Sequence, residues 1–218
     1  MPFRDRRQAG RALGERLREL RNEEPVVLAL PRGGVVVGAE VARALGAPLD
    51  VVVVRKLRSP DAPELALGAI AEDGAQIVRA ALLDGAALPP DGLERLLSTQ
   101  RAEMVLELQR YRAVRPVEPL GGRSVVLVDD GLTTGASAAA AVQVATGRGA
   151  ARITVAVPVA SREARESLSH VVNDLVCLET PPLMLALGEW YEDFPEISEE
   201  AVMALLDAAR ADDALGHL

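Results

Sequence analysis

The stretch Val125-Val126-Leu127-Val128-Asp129-Asp130-Gly131-Leu132-Thr133-Thr134-Gly135-Ala136-Ser137 decides how this chain is read. Four apolar residues run into two carboxylates, and these run into a small, hydroxyl-rich turn ahead of an alanine-rich helix. An apolar run of this kind suits a strand buried on both faces, as in the middle of a parallel sheet. Asp129 and Asp130 then stand at the strand's carboxyl end, where open α/β sheets bind their ligands. The turn 131–137 offers backbone N–H groups, three hydroxyls and a helix N-terminus, a setting for a phosphate. One ligand end is therefore hydroxyl-rich or metal-bound and the other phosphorylated, and a ribose 5-phosphate meets both conditions. A Walker-type loop does not fit, because Ala136 rather than a lysine follows Gly135. A response-regulator receiver does not fit either, because its acidic pair lies near the start of the domain and this one lies past the middle. A bare strand and turn would leave two adjacent carboxylates beside a buried strand without a partner, which is costly.

Around this stretch, strand-like and helix-like segments alternate. The candidate strands are 26–30, 49–54, 124–128, 153–157 and 172–178, with helical stretches at 35–45, 135–147 and 162–169. Alternation of this kind predicts a parallel sheet with helices on both faces. Residues 6–21 carry Leu13, Leu17 and Leu20 at helical spacing and read as an amphipathic helix. Two insertions interrupt the pattern. Residues 55–78 are polar and carry the turn signals Ser59-Pro60, Ala62-Pro63 and Asp73-Gly74, so they read as a loop. Leu93, Leu96, Leu97, Met104, Leu108 and Tyr111 then mark a long helix over 91–113. The tail has no clear period from 179 to 197, and Ser198-Glu199-Glu200 opens a final helix with a cap and an acidic first turn.

Composition narrows the function. With 49% apolar residues, the 218-residue chain can bury a substantial core. Its net charge of −8 argues against nonspecific nucleic-acid binding, so an anionic substrate must be met by local cations. No apolar run reaches the ~18 residues of a membrane helix, and residues 1–7 lack the apolar stretch of a signal peptide. A cytoplasmic protein with no membrane partner is expected. Cys177, the one cysteine, reads as a core residue, and with His170 and His217 it makes no His-rich metal site.

Three further motifs carry chemistry. In Leu30-Pro31-Arg32-Gly33-Gly34-Val35, a strand ends and a helix begins across two glycines, which let main chain approach an anion while Arg32 adds charge. Val54-Arg55-Lys56-Leu57-Arg58 puts three cations at the ligand edge. There Arg55 and Lys56 suit a pyrophosphate clamp, and Arg58 fits a clamp or a solvated loop equally. Trp190-Tyr191-Glu192-Asp193-Phe194 holds three of the chain's five aromatics. These rings either stack on a base or anchor the final helix. No Ser, Cys or His stands out as a nucleophile, and neither Glu64 nor Glu72 has an evident proton-transfer role.

The thirteen-residue stretch resembles the signature of the type I phosphoribosyltransferases. The chain as a whole is similar to free-standing bacterial members of that family that have no assigned substrate. The shared features are Leu-Pro-Arg-Gly-Gly, Val-Arg-Lys, Val-Asp-Asp-Gly and the Trp-Tyr-Glu-Asp-Phe segment. The resemblance implies a single α/β domain over 1–218: an open parallel five-stranded sheet around a central first strand, with helices on both faces. Its core would span 25–178, with a flexible loop at 55–78, a helical insertion at 91–113 and a C-terminal hood at 179–218. It implies an enzyme that uses Mg²⁺ and phosphoribosyl pyrophosphate (PRPP) to ribosylate a nitrogen nucleophile, such as a nucleobase, with release of pyrophosphate. Asp129 and Asp130 would take the ribose hydroxyls and, mostly through ligand or water, the metal. Gly131, Thr133, Thr134, Gly135, Ala136 and Ser137 would take the 5-phosphate. Arg32, Gly33 and Gly34 would take the pyrophosphate, in a loop that in this family often contains a cis peptide. Arg55 and Lys56 would assist catalysis, and the 55–73 segment would close over PRPP. Trp190, Tyr191 and Phe194 would lie in the base-recognising hood. Pairing through helices, common in the fold, implies a homodimer. The alternative on the same fold is a non-catalytic regulator that binds PRPP or a nucleotide.

Overall fold

The computed structural model describes residues 2–62, 66–83, 88–89 and 91–215; Pro63, Glu64 and His217 lie outside them. The strands are β1 (Val26–Ala29), β2 (Leu49–Val51), β3 (Val54–Arg58), β4 (Ala66–Ala71), β5 (Gln76–Val78), β6 (Ser124–Val128), β7 (Arg152–Val159) and β8 (Asp174–Glu179). The helices are α1 (Arg6–Arg16), α2 (Gly33–Leu45), α3 (Ala80–Leu83), α4 (Gly92–Val114), α5 (Ala136–Gly147), α6 (Arg162–Leu168) and α7 (Glu199–Leu215). The core sheet runs β2-β1-β6-β7-β8, with every pairing parallel. Alternate residues along its strands face opposite layers. Val27, Ala29, Val126 and Val128 pack with α1, α2, α4 and α7, while Val26, Leu28, Val125 and Leu127 pack with α5 and α6. The middle strand is β6, with β1 beside it, so the expected central first strand sits one place off centre.

The chain departs from the expected strand 49–54 at Val52 and Val53. Val52 N–H still donates to Ala29 O of β1 at 3.1 Å, but Val53 O accepts from Glu72 N–H beyond β4 at 3.1 Å. The backbone therefore changes partners, and β3 opens a separate antiparallel sheet, β3-β4-β5. The expected loop 55–78 is thus largely this sheet. Ser59-Pro60 and Asp73-Gly74 do mark its two turns, with Asp73 and Gly74 at φ of 58° and 79°. Leu57 on β3 and Leu67, Ala69, Ile70 and Ala71 on β4 are buried. The helix expected over 6–21 ends at Arg16 and gives way to a 3₁₀ turn, Arg18–Glu23. Cys177 lies half-buried on the edge strand β8 rather than in the core. Its thiol donates to Glu179 O at 2.8 Å, and burial pushes its pKa up.

A buried ion network fixes the second sheet and α4 to the core. Asp50 is fully buried and accepts from Arg112 at 2.5 Å, from Val51 N–H at 2.7 Å and from Glu118 N–H at 3.0 Å. Glu72 accepts from Val53 N–H at 2.9 Å and from Arg148, just past the end of α5, at 2.9 Å, and Arg112 reaches it at 3.5 Å. Glu72 is therefore a strut between the second sheet, α4 and α5. Helix α1 lies close on α2. A Cβ at Gly10 would fall 2.8 Å from Val37 O, and one at Gly14 would fall 2.6 Å from Ala44 Cβ. Asp5 caps α1 by accepting from Gln8 N–H at 2.7 Å.

Removing one partner of a buried ion pair leaves an uncompensated charge. Arg112→Met is expected to cost about 3 kcal/mol, read as a lower urea midpoint with an unchanged slope. Asp5→Ala is expected to cost about 1 kcal/mol at neutral pH. The hydrogen bond from Gln8 N–H holds the Asp5 carboxyl below the ordinary 3.8. The cap therefore stabilises fully above that value and is lost as pH falls through the lower folded one, so wild type and variant should converge in acid.

Candidate active site

The carboxyl ends of β1 and β6 lie side by side, so the loops that follow them meet over one cleft. The cleft has a volume of about 730 Å³, and Arg32, Gly33, Lys56, Asp129, Asp130 and Ser137 are among its walls. The contact between the loops is close. A Cβ on Gly33 would lie 1.9 Å from Asp130 Oδ2, and one on Gly34 would lie 2.9 Å from Asp129 Cα. Only glycines allow this approach. The Pro31–Arg32 peptide is cis.

Asp129 Oδ1 accepts from Asp130 N–H at 2.8 Å. Burial, and then the negative charge of Asp130, push the Asp129 carboxyl well above its ordinary pKa, against the pull of Lys56. Asp130 is buried and paired: its Oδ2 accepts from Arg6 Nε at 2.7 Å. Arg6 went unnoticed in the sequence, where nothing separates it from its neighbours Arg4 and Arg7. Among the described residues no three His, Cys, Asp or Glu side chains form a metal cage. Two adjacent carboxylates instead suit a Mg²⁺ that arrives with phosphates and keeps several waters.

The turn after Asp130 is fixed by its neighbours. Gly131 and Leu132 are buried, and Leu132 exchanges backbone hydrogen bonds with Val159 and Ser161 at 3.0 and 2.9 Å. Thr133 O accepts from Ser161 Oγ and Thr134 O from Ser167 Oγ, which leaves Thr133 exposed. Gly135, at φ 78°, turns the chain into α5. No side chain caps α5 or α2, whereas Asp5 and Ser161 cap α1 and α6. The N-termini of α5 and α2, at Ala136 and Gly33, adjoin the cleft; Ala136 N–H makes only a long contact to Thr134 Oγ1, at 3.5 Å, so this pair of helix ends suits an anion.

The expected cations are not equally available. Lys56 is exposed and makes no ion pair among the described residues; it is also the chain's only lysine. Arg55 is held by α4 through Gln100 at 2.9 Å, Glu107 at 3.0 Å and Glu103. Glu103 and Glu107 stand four apart on α4, a spacing that places both on one face and was readable in the sequence. Arg32 pairs with Glu196 of the C-terminal segment, and Ser59, which follows Arg58, is buried. The expected base-recognition rings do not line the cleft. Tyr191 is 5% exposed and its hydroxyl donates to Asp130 O at 2.5 Å. Phe194 is stacked on Tyr191 and covered by the Arg6 guanidinium, and half-buried Trp190 packs with the same cluster. From the C-terminal segment Leu187 lines the cleft, as do Leu96, Gln100 and Glu107 of α4.

Gly33→Ala is expected to push Asp130 aside and cost about 1–3 kcal/mol in unfolding experiments. Gly147→Ala in α5, where a Cβ meets nothing within 4 Å, should not lower stability.

A family model, the phosphoribosyl transferase domain, matches residues 6–183. Two Mycobacterium tuberculosis proteins, from different strains and named as provisional phosphoribosyl transferases, are each 44% identical over 210 residues. The match covers 96% of this chain and 47% of theirs, so the chain spans about half the length of the curated relatives it matches. The crystal structure of TT1426 from Thermus thermophilus shares 49% identity and a TM-score of 0.79, covering 95% of this chain and 99% of that one. With its parallel sheet, its acidic pair at the end of β6 and its paired glycines after β1, the chain belongs to the phosphoribosyl transferase domain family.

Proposed function

We propose that the protein binds PRPP with Mg²⁺ and transfers the phosphoribosyl group to a nitrogen nucleophile, releasing pyrophosphate. The observation that carries this reading is the convergence of two glycine-built loops and two uncapped helix N-termini on Asp129 and Asp130. The α5 N-terminus, with Gly131, Thr133, Thr134, Gly135, Ala136 and Ser137, holds the 5-phosphate. The acidic pair holds the ribose hydroxyls and stabilises positive charge growing at the anomeric carbon. The amides of Gly33 and Gly34, with Arg32 and Lys56, stabilise negative charge on the departing pyrophosphate. Arg55 joins them only by exchanging its partners on α4. Mg²⁺ held by Asp129, Asp130 and the phosphates would neutralise the leaving group.

In the reaction, the bond between the anomeric carbon and a pyrophosphate oxygen breaks and a bond to the acceptor nitrogen forms. The proton shed by that nitrogen leaves with pyrophosphate or into solvent. Catalysis rests on position and charge, without a covalent enzyme intermediate. The acceptor lies towards Leu187 and α4, since the tail rings are occupied elsewhere.

The test is calorimetric titration with PRPP, with and without Mg²⁺. Metal-dependent binding supports the reading and justifies a search for pyrophosphate release with nucleobases. No binding in either condition overturns it. Asp129→Asn sharpens the test, because a carboxyl with a raised pKa costs stability at neutral pH. The variant is expected to melt at or above the wild-type temperature while losing at least about tenfold in PRPP affinity.

A further inference from the structure

Arg6 and Tyr191 converge on Asp130 from opposite ends of the chain. Arg6 is 7% exposed and makes three contacts. Its Nε donates to Asp130 Oδ2 at 2.7 Å, a second nitrogen donates to Pro195 O at 2.8 Å, and its guanidinium lies 3.6 Å from the centroid of the Phe194 ring. Tyr191 packs between Phe194 at 4.8 Å and Phe3 at 5.7 Å, and its hydroxyl donates to Asp130 O at 2.5 Å. Burial, and then the charge of Asp130, raise the phenol's pKa, so it stays protonated as a donor. The other side of the Asp130 residue, its N–H, donates to Asp129 Oδ1.

These contacts exceed what anchoring needs. The N-terminal helix is already fixed by the close approach of Gly10 and Gly14 to α2. The segment before it is joined to the C-terminal segment by Phe3 N–H to Trp190 O at 2.7 Å, Glu192 N–H to Phe3 O at 2.8 Å and Asp193 N–H to Arg4 O at 2.9 Å. What Arg6 and Tyr191 add is a fixed placement for the residue that follows the buried strand. One oxygen of each carboxylate is committed to a protein donor, Asp130 Oδ2 to Arg6 and Asp129 Oδ1 to the Asp130 N–H, which leaves the other for a ligand.

We infer that Arg6 and Tyr191 are positioning residues for sugar recognition: together they clasp Asp130, and through its peptide orient Asp129, so that the pair presents two oxygens to two vicinal hydroxyls. The inference rests on the PRPP reading above and adds to it which residues outside the cleft set the geometry of the acidic pair. It accounts for the tail aromatics, which hold the acidic pair from behind rather than stack on the acceptor.

The experiment compares wild type, Tyr191→Phe and Arg6→Lys by calorimetry with PRPP, ribose 5-phosphate and pyrophosphate, each with Mg²⁺. Tyr191→Phe keeps the ring packing and removes one donor, while Arg6→Lys keeps the charge and moves it. Both variants are expected to lose about tenfold in affinity for the two ribose ligands while binding pyrophosphate as wild type does, with thermal unfolding confirming a folded protein. Equal losses for all three ligands would assign the pair a structural role and overturn the inference, as would unchanged affinities. Wild-type protein that binds pyrophosphate but neither ribose ligand would instead overturn the PRPP reading itself. Should Arg6→Lys fail to fold, Tyr191→Phe alone decides.

Discussion

Asp129 and Asp130 put two carboxylates side by side at the end of a strand that is buried on both faces, and much of the surrounding structure compensates for that placement. Burying a charge without a partner costs far more than a hydrogen bond returns. The molecule answers differently at the two positions. Asp130 receives a buried arginine from the start of the first helix. Asp129 has only one backbone donor and a lysine nearby, which do not offset its burial and the charge of Asp130, so its proton is held more tightly than an ordinary aspartate's. The pair is unequal by construction: one member is permanently compensated, and the other awaits a ligand.

The same logic extends to the cations. Arg32 is paired with Glu196, and Arg55 with Glu103 and Glu107. The first pair is exposed on both sides and is worth at most about 1 kcal/mol, so a multiply charged anion displaces Glu196 readily. Arg55 is only part-exposed and has three partners on one helix, which makes its release a larger rearrangement. Charge on an acidic protein is thereby kept in matched sets around the cleft, and among the described residues Lys56 is a cation that an incoming anion meets without first displacing an ion-pair partner.

Strand β6 and the turn after it were legible because their signal is local: an unbroken apolar run, two acids and a glycine-threonine turn need no knowledge of the rest of the chain. The paired glycines after β1 were legible for the same reason. The second sheet was misread as a loop because its turn signals outweighed the apolar run of β4, which was present in the sequence. The break between β2 and β3 could not be seen, since Val52 and Val53 look like any strand interior and only a change of hydrogen-bonding partner separates the sheets. Arg6 was hidden more deeply. Its partner lies 124 positions away, and no periodicity links an arginine in the first helix to an aspartate after the sixth strand. Its role comes from topology, which brings both ends of the chain under one loop.

The arginine-rich composition has a practical consequence. Of the 24 lysine and arginine residues, only Lys56 is a lysine, and it lies exposed on the cleft wall. It is the only side-chain amine in these 218 residues. Acylating or reductively alkylating reagents that ignore guanidinium groups therefore meet one side chain, at the ligand's expected position. A fluorophore or isotopic methyl label attached there would report occupancy of the cleft without any engineered residue.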